Sequence, residues 1–461
     1  MRMKKKDVTI IGAGMGGLFS GALWASDGYN VSIYESHYAS GGCAGYFKRK
    51  EGYYDVGATT ISGMKKGRPL EKLFKKVGIN IPMTKLDKAI EIIHPNFQFS
   101  YYTDIEKFHR EFHKTFGIDA RDYVNDLMLI EERLWESLNI FSSFPRIKIT
   151  HLCKFIFSKN ISLLKSYQIF TKTFYDFLPK EWRRNEKLIS MIDQLLLIST
   201  QQKSRTCPAF IGILGFLYPF DTYHVDGGMR ILCKGLEELI TQRSGKLHFK
   251  EKINRVNKAK NSYIVNTSKE EFETEVLISA ARPGIINPNL QKAQKWTAIT
   301  SYLYLDNFDL KECHYQVHLN KSQRDLLNSD SIFISSSLKE DRNRSTTHKQ
   351  IITISTHAKK GCSDISIKEK FKDVIIDVFK EHFGLEDSKL NFDSVATAKT
   401  FTYFTQRVDG EVGGIIVENL KDLFKLAPNK YNQNTYFVGD YSFPGQGLVA
   451  IARGALNTRS I

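Results

Sequence analysis

The sequence predicts an α/β protein built on a Rossmann-like dinucleotide-binding domain, and three observations predict it. A short apolar run, Val8 to Ile11, leads into Gly12-Ala-Gly14-Met-Gly16-Gly17. A second strand-like run, Val31 to Tyr34, ends on the acid Glu35. At the far end of the chain, Tyr436 to Val438 runs into Gly439-Asp440 and then Gly445-Gln446-Gly447-Leu448. In the first segment Gly12 permits a tight turn, Gly14 lets the backbone approach a pyrophosphate, and Gly17 lets helix and strand pack closely, with Gly16 in the same cradle. Leu18 to Ala25 is helix-compatible, so the glycines precede a helix whose N-terminal N–H groups attract negative charge.

The residues that follow favour FAD over NAD. Glu35, with Ser36 beside it, stands about 20 residues beyond the glycines, where an acid accepts hydrogen bonds from ribose hydroxyls; it would repel a 2′-phosphate, which disfavours NADP. Ser40-Gly41-Gly42-Cys43-Ala44-Gly45 and Asp55-Val56-Gly57-Ala58-Thr59 come next. Small residues at these positions let the backbone lie along the diphosphate and the flavin edge. Asp440, at the tip of the last strand, is placed to bond a ribityl hydroxyl. Gly445 to Leu448 opens a helix whose N–H groups face the pyrophosphate or a developing negative charge on the flavin. Each glycine pair alone reads as an ordinary loop; together they predict a cofactor site assembled from both ends of the chain.

With these segments in view, the chain resembles the carotenoid desaturase and isomerase family of FAD oxidoreductases. The resemblance is carried by Gly12 to Gly17, Ser40 to Gly45 with Asp55 to Gly57, His224-Val-Asp-Gly227-Gly228-Met229, Leu277 to Pro283, Ile354 to His357, Arg407 to Ile415, and Gly439 to Leu448. It is nearest the C-3′,4′ desaturase and prolycopene isomerase branches. It implies a FAD-binding domain of the glutathione-reductase and amine-oxidase type, with an inserted α+β substrate domain that carries a mixed sheet and a helical membrane-facing part. It also implies desaturation or isomerisation of a polyene, hydride transfer to flavin N5, re-oxidation by quinone or oxygen, and a backbone contact to adenine near Ile253. Ala281-Arg282 and Arg453 depart from the family pattern, which weakens inference to a particular substrate. A retinoid or polyene saturase, and a non-catalytic FAD-containing lipid- or pigment-binding protein, are the alternative readings.

The motif positions divide the chain. Residues 1–83, 224–285 and 435–461 are expected to form the FAD domain in three passes, 84–223 a helical substrate or membrane-associating region, and 286–434 a substrate domain with a mixed sheet. Strands are expected over Thr297 to Asp306, Tyr315 to Leu319, Ser331 to Ser335 and Gln350 to Ser355, and a hairpin from Lys246 to Val256 and Tyr263 to Asn266.

With 461 residues, 42% hydrophobic and 25% charged, the chain can bury a large core. The six cysteines form no Cys-x-x-Cys pair, so no zinc site or disulfide framework is indicated, and the cytoplasm is the expected compartment. Met1 to Lys6 is basic, but the apolar stretch after it is too short for a signal peptide. No metal site and no nucleic-acid motif accompany the +16 charge, which instead fits contact with the inner face of an anionic membrane. Leu163, Tyr167, Phe170, Phe174 and Phe177 recur at steps of four and three, as on one face of an interfacial helix; packing on the substrate domain is the plain alternative. The apolar run Ala209 to Phe220 falls short of the roughly 18 to 20 residues of a spanning helix and reads equally as an interfacial segment or a pocket wall. His224 and His357 stand in family-like motifs, and Arg407 and Glu411 bracket a turn that is either at a cavity or exposed. No catalytic acid or base is assigned, and oligomeric state is open.

Overall fold

The computed structural model describes residues 5–290, 295–306, 308–345, 349–359 and 366–459; Cys362 and the basic start through Lys4 lie outside the described residues. The strand Lys5–Ile11 is central in a seven-stranded sheet, parallel to Val31–Tyr34 on one side and Glu271–Ser279 on the other. From Val8 to Ile11 both of its faces are buried, which is why it reads as an uninterrupted apolar run. Lys246–His248 extends the sheet beyond Val31–Tyr34, and Thr435–Phe437 runs parallel to the end of Glu271–Ser279. Five strands therefore point the same way. The loops after Ile11, Tyr34, Ser279 and Phe437 collect at their carboxyl edge, where ligands of such sheets bind.

The helices Met15–Ser26, Met229–Gln242 and Leu448–Asn457 share one core with this sheet, through Leu18, Leu23, Leu232, Leu236, Ala452 and Ala455 against Ile10, Ile33 and Ile278. The hairpin expected from Lys246 is corrected. Lys250 turns the chain at φ 51°, so Lys246–His248 is a separate parallel strand, and Ile253–Lys258 pairs antiparallel with Tyr263–Thr267.

A second seven-stranded sheet runs in the order Leu390–Ala396, Trp296–Leu305, Gln350–Lys359, Ser331–Ser336, His314–His318, Lys88–His94, Phe97–Tyr102. Its pairs are antiparallel except His314–His318 with Lys88–His94. One face packs beneath the helix Ser366–Phe383, where Phe371, Ile375 and Phe379 meet Leu303, Ile334 and Ile354. The two strands between Lys88 and Tyr102 lie in a stretch read from sequence as helix-rich; they gain their place by pairing with a strand more than two hundred residues away.

Helices Arg121–Ile140, Glu186–Thr200 and Ala209–Leu217 roof the other face of this sheet. The apolar run from Ala209 is a buried wall: Ala209 and Ile213 are fully buried and Phe210 nearly so. The single amphipathic helix expected around Leu163 to Phe177 does not form. The backbone breaks into Ile149–Ile156, Lys159–Leu164, Tyr167–Phe170 and Phe174–Phe177. Ser158 and Thr173 accept hydrogen bonds from the N–H groups of Asn160 and Asp176, starting new turns in place of one continuous helix. Leu163 and Phe174 consequently point into the core, while Tyr167 stays exposed. Among the described residues no helix is long and apolar enough to cross a membrane.

Candidate cofactor and substrate cavity

One cavity of about 2520 Å³ lies between the two sheets. A pocket for a single small ligand measures roughly 300–1,000 Å³, so this space has room for more than one such ligand. The helix Met15–Ser26 begins at Gly14 and the helix Leu448–Asn457 at Gly447, and neither start has a side-chain cap. Both uncapped N-termini open on the cavity, one from each end of the chain. Unpaired N–H groups and the helix dipole make each a seat for an anion.

Gly12 has φ +90° and donates its N–H to the Tyr34 carbonyl at 2.8 Å. A Cβ on Gly17 would sit 1.9 Å from the Gly12 carbonyl oxygen, so helix and strand could not approach with any side chain there. Gly14 differs. Its φ is −65°, and nothing lies within 4 Å of where its Cβ would be. Neither backbone geometry nor protein packing requires glycine at Gly14, and the space beside it is open.

Glu35 stands at the tip of Val31–Tyr34 with its carboxylate fixed from two sides. Ala13 N–H donates to Oε2 at 2.7 Å and His37 N–H to Oε1 at 2.8 Å, with the Ser36 hydroxyl 3.2 Å from Oε1. The backbone of Glu251 donates to the Glu35 carbonyl at 2.9 Å, which brings Ile253 to the same end of the cavity. Ser40, Gly41, Gly42, Gly57, Ala58 and Thr59 also line it, as do Gly16 on the first helix and Gly439, Asp440, Gly445, Gln446 and Leu448 near the end of the chain. Gly17 alone among the cofactor-binding residues picked from sequence is not in the lining, because it is spent on the contact with Gly12.

Asp440 is held by Arg407, whose Nη2 lies 3.1 and 2.9 Å from the two carboxylate oxygens. Arg407 also donates to the Gly413 carbonyl at 3.2 Å. Burial works to lower the Arg407 pKa, but Asp440, Cys43 and Tyr441 together more than offset it and raise it above the ordinary arginine value. Glu411 is buried and accepts from the Tyr441 hydroxyl at 3.0 Å, and Arg407 lines the cavity, so the two ends of this turn face inward while Val408 and Asp409 at its tip are exposed. His357 also lines the cavity, with burial pushing its pKa down to about 4. His224 does not: its Nε2 lies 2.9 Å from Asp341, which also accepts from Gly227 N–H at 2.8 Å, an internal latch. Burial raises the Cys43 pKa, so this cavity thiol stays protonated. The five described cysteines are free thiols, and no metal-holding cluster occurs among the described residues.

Residues 10–77 match the family model of an NAD(P)-binding Rossmann-like domain. Over 98% of the chain and 94% of the relative, the sequence is 20% identical to a 4,4′-diapophytoene desaturase (4,4′-diapolycopene-forming) of Methylomonas. It is 24% identical to prolycopene isomerase 2 of an Oncidium hybrid, over 97% of the chain and 82% of the relative. Along nearly its whole length the chain is thus similar to carotenoid desaturases and isomerases. Solved structures that share its fold include an oxidoreductase from Methanosarcina mazei, at TM-score 0.67 and 14% identity over 99% of this chain and all of that one. A putrescine oxidase superposes at TM-score 0.59 and 13% identity over 98% of both chains. These likenesses agree with the two uncapped helix starts and the open space at Gly14. Sequence reasoning missed Gln201, Thr300 and Gln316, which also line the cavity. They belong to no local motif and meet only through the second sheet and the helix packed over it.

Proposed function

We propose that this protein is an FAD-dependent enzyme that desaturates or isomerises a carotenoid or related membrane-soluble polyene. The observation that carries the reading is the joining, in one cavity, of two uncapped helix N-termini with a roof of apolar side chains that includes Leu138, Phe141, Phe210 and Leu214. In this reading Glu35 holds the ribose hydroxyls, the helix starts at Gly14 and Gly447 face the diphosphate, Ile253 offers backbone to the adenine, and Asp440 accepts from the ribityl chain with Arg407 fixing its carboxylate. A flavin bound there would supply hydride acceptance at N5, and a quinone or oxygen would take the two electrons from the reduced flavin. The roof aligns the polyene and excludes water from the reacting bond. The FAD domain in this proposal comprises residues 1–83, 224–285 and 435–461, and residues 84–223 and 286–434 form the substrate side.

A second part of the proposal is peripheral binding to an anionic membrane. Ile149, Phe157, Leu164 and Tyr167 are 79%, 89%, 58% and 60% exposed on one segment. Between Glu136 and Asp176 there is no acidic residue, while Arg146, Lys148, Lys154, Lys159, Lys165 and Lys172 are interspersed. Ile147, Phe155, Leu163 and Phe170 of the same segment line the cavity, so its apolar wall runs into the exposed patch. Such a surface suits a bilayer from which a greasy substrate is drawn.

The test is to purify the protein, identify any released flavin by mass, and incubate the holoprotein with carotenes in liposomes with a quinone. The expected result is FAD at near one per chain and a polyene product changed in bond number or geometry. Absence of flavin, or unchanged polyenes with flavin bound, refutes the reading.

A further inference from the structure

The cavity has two unlike faces. Its helical roof is apolar, but its sheet floor is not. Side chains alternate along strands, and the face turned from the helix Ser366–Phe383 presents Ala298, Thr300 and Tyr302 on one strand and Thr353, Ser355 and His357 on its neighbour. Register carries this across the sheet: Thr300 lies opposite Ser355, Ser355 opposite Phe333, and Phe333 opposite Gln316. That row is polar at three of four positions, and all four line the cavity.

The adjacent row, Tyr302, Thr353, Ser335 and His314, is spent on protein contacts. The Tyr302 hydroxyl donates to the Val56 carbonyl at 2.7 Å, Thr353 to the Asp55 carbonyl at 3.3 Å, and Ser335 meets Thr59 at 2.7 Å. The Thr300 row is only partly spent: Gln316 donates its amide N–H to the Ser331 hydroxyl. Among the described residues the Thr300 hydroxyl and the Gln316 Oε1 have no hydrogen-bond partner, although these residues are only 1% and 3% exposed. Above the next row, Gln201 Oε1 and Trp296 Nε1 are likewise buried without a protein partner, beside His357. Buried hydrogen-bonding groups left unpaired cost stability, and a hydrocarbon laid over them offers nothing in return.

We propose that the substrate is an oxygenated polyene, bearing a hydroxyl or carbonyl group that seats on the Thr300–Ser355–Gln316 floor, and not a bare hydrocarbon. This rests on the polyene reading above and narrows it. A site that hydrogen-bonds an oxygen function discriminates strongly against the analogue lacking it, because the site's own polar groups are then stranded. His357, kept neutral by burial, and the Gln201 amide extend the same floor without introducing a charge.

The test uses flavin-loaded protein and three polyenes of equal conjugation, one hydrocarbon, one hydroxylated and one keto, supplied in neutral detergent. Binding is followed by flavin fluorescence quenching for the wild type and for Thr300→Val, Gln316→Leu and Ser355→Ala. The wild type is expected to bind an oxygenated polyene at least tenfold more tightly than the hydrocarbon. Thr300→Val and Gln316→Leu are expected to shrink that preference severalfold, partly by tightening the hydrocarbon. Ser355→Ala removes one partly exposed hydroxyl with little demand on packing and serves as the variant least able to disturb the fold. Equal or tighter binding of the hydrocarbon by the wild type overturns this inference while leaving the polyene reading standing. An undiminished preference in all three variants overturns the assigned floor. Failure of every polyene to bind overturns both.

Discussion

Arg407 presents one guanidinium nitrogen to both carboxylate oxygens of Asp440, at 3.1 and 2.9 Å, and thereby joins the turn before Gly413 to the tip of the last parallel strand. Their side chains are 17% and 14% exposed, so the pair is neither a surface ornament nor fully dry. Its value lies in orientation: a carboxylate held this way offers its remaining lone pairs to the cavity in one direction.

Arg407→Met should therefore leave Asp440 half-buried and unpaired. The cost expected is about 1–3 kcal/mol, below that of a fully buried pair because water still reaches both groups. Flavin retention on gel filtration should drop with it, and the double variant carrying Asp440→Asn should recover stability without recovering flavin. Recovery of both would mean that Asp440 serves only the fold.

Gly17→Ala and Gly14→Ala should separate fold from ligand. The first forces a Cβ to within 1.9 Å of the Gly12 carbonyl oxygen, and strand and helix must part. A loss of about 3 kcal/mol or more is expected, visible in the urea midpoint. The second meets nothing within 4 Å and should melt as the wild type does while losing bound flavin, read as the ratio of visible to ultraviolet absorbance.

The same contrast explains how much was legible in the sequence. The first two parallel strands, the glycine cradle and Glu35 are encoded within about 40 contiguous residues, so local pattern suffices. Asp440 was legible because a strand tip carries it. Arg407 was visible only as half of an ambiguous turn, since what decides its role is a partner 33 residues on. The strands Lys88–His94 and Phe97–Tyr102 were hidden because their sheet neighbour is His314–His318. The segment from Leu163 to Phe177 misled for a different reason: its apolar spacing is helical, but Ser158 and Thr173 restart the backbone, so the exposed face passes to Ile149, Phe157 and Leu164.

That exposed face gives a direct prediction. Replacing Ile149, Phe157 and Leu164 together by serine should leave flavin content and melting unchanged, because none of the three is buried. Fully burying one such side chain is worth roughly 1.5–3 kcal/mol, so losing three should cut partitioning onto anionic vesicles by at least a hundredfold, even with incomplete insertion. Added salt should weaken the binding of both proteins through the lysines, and should nearly abolish the variant's residual binding, which keeps only the electrostatic part. Co-sedimentation with vesicles measures both. Equal sedimentation of wild type and variant would remove this segment from the membrane contact.

Acid sensitivity should centre on the buried histidines of the second sheet. His314 accepts or donates at Nδ1 to the Ser335 hydroxyl at 3.0 Å; burial, reinforced by His224 and Arg344, pushes its pKa down to about 3. The folded protein thus holds this ring neutral while the unfolded chain protonates near 6.5. Between these values the unfolded state binds more protons, so stability rises with pH, and it is lost as pH falls from about 6.5 toward 3. The slope per histidine reaches about 1.4 kcal/mol per pH unit, which makes His314 alone worth on the order of 2 kcal/mol between pH 6.5 and 5. His318 and His357, each held at about 4 by burial, add to the slope over a slightly narrower window. Urea unfolding at pH 7.5 and 5.0 should show the wild type losing more stability than His314→Gln. Parallel losses in the two proteins would mean that His314 is already protonated in the fold, or that its surroundings admit water.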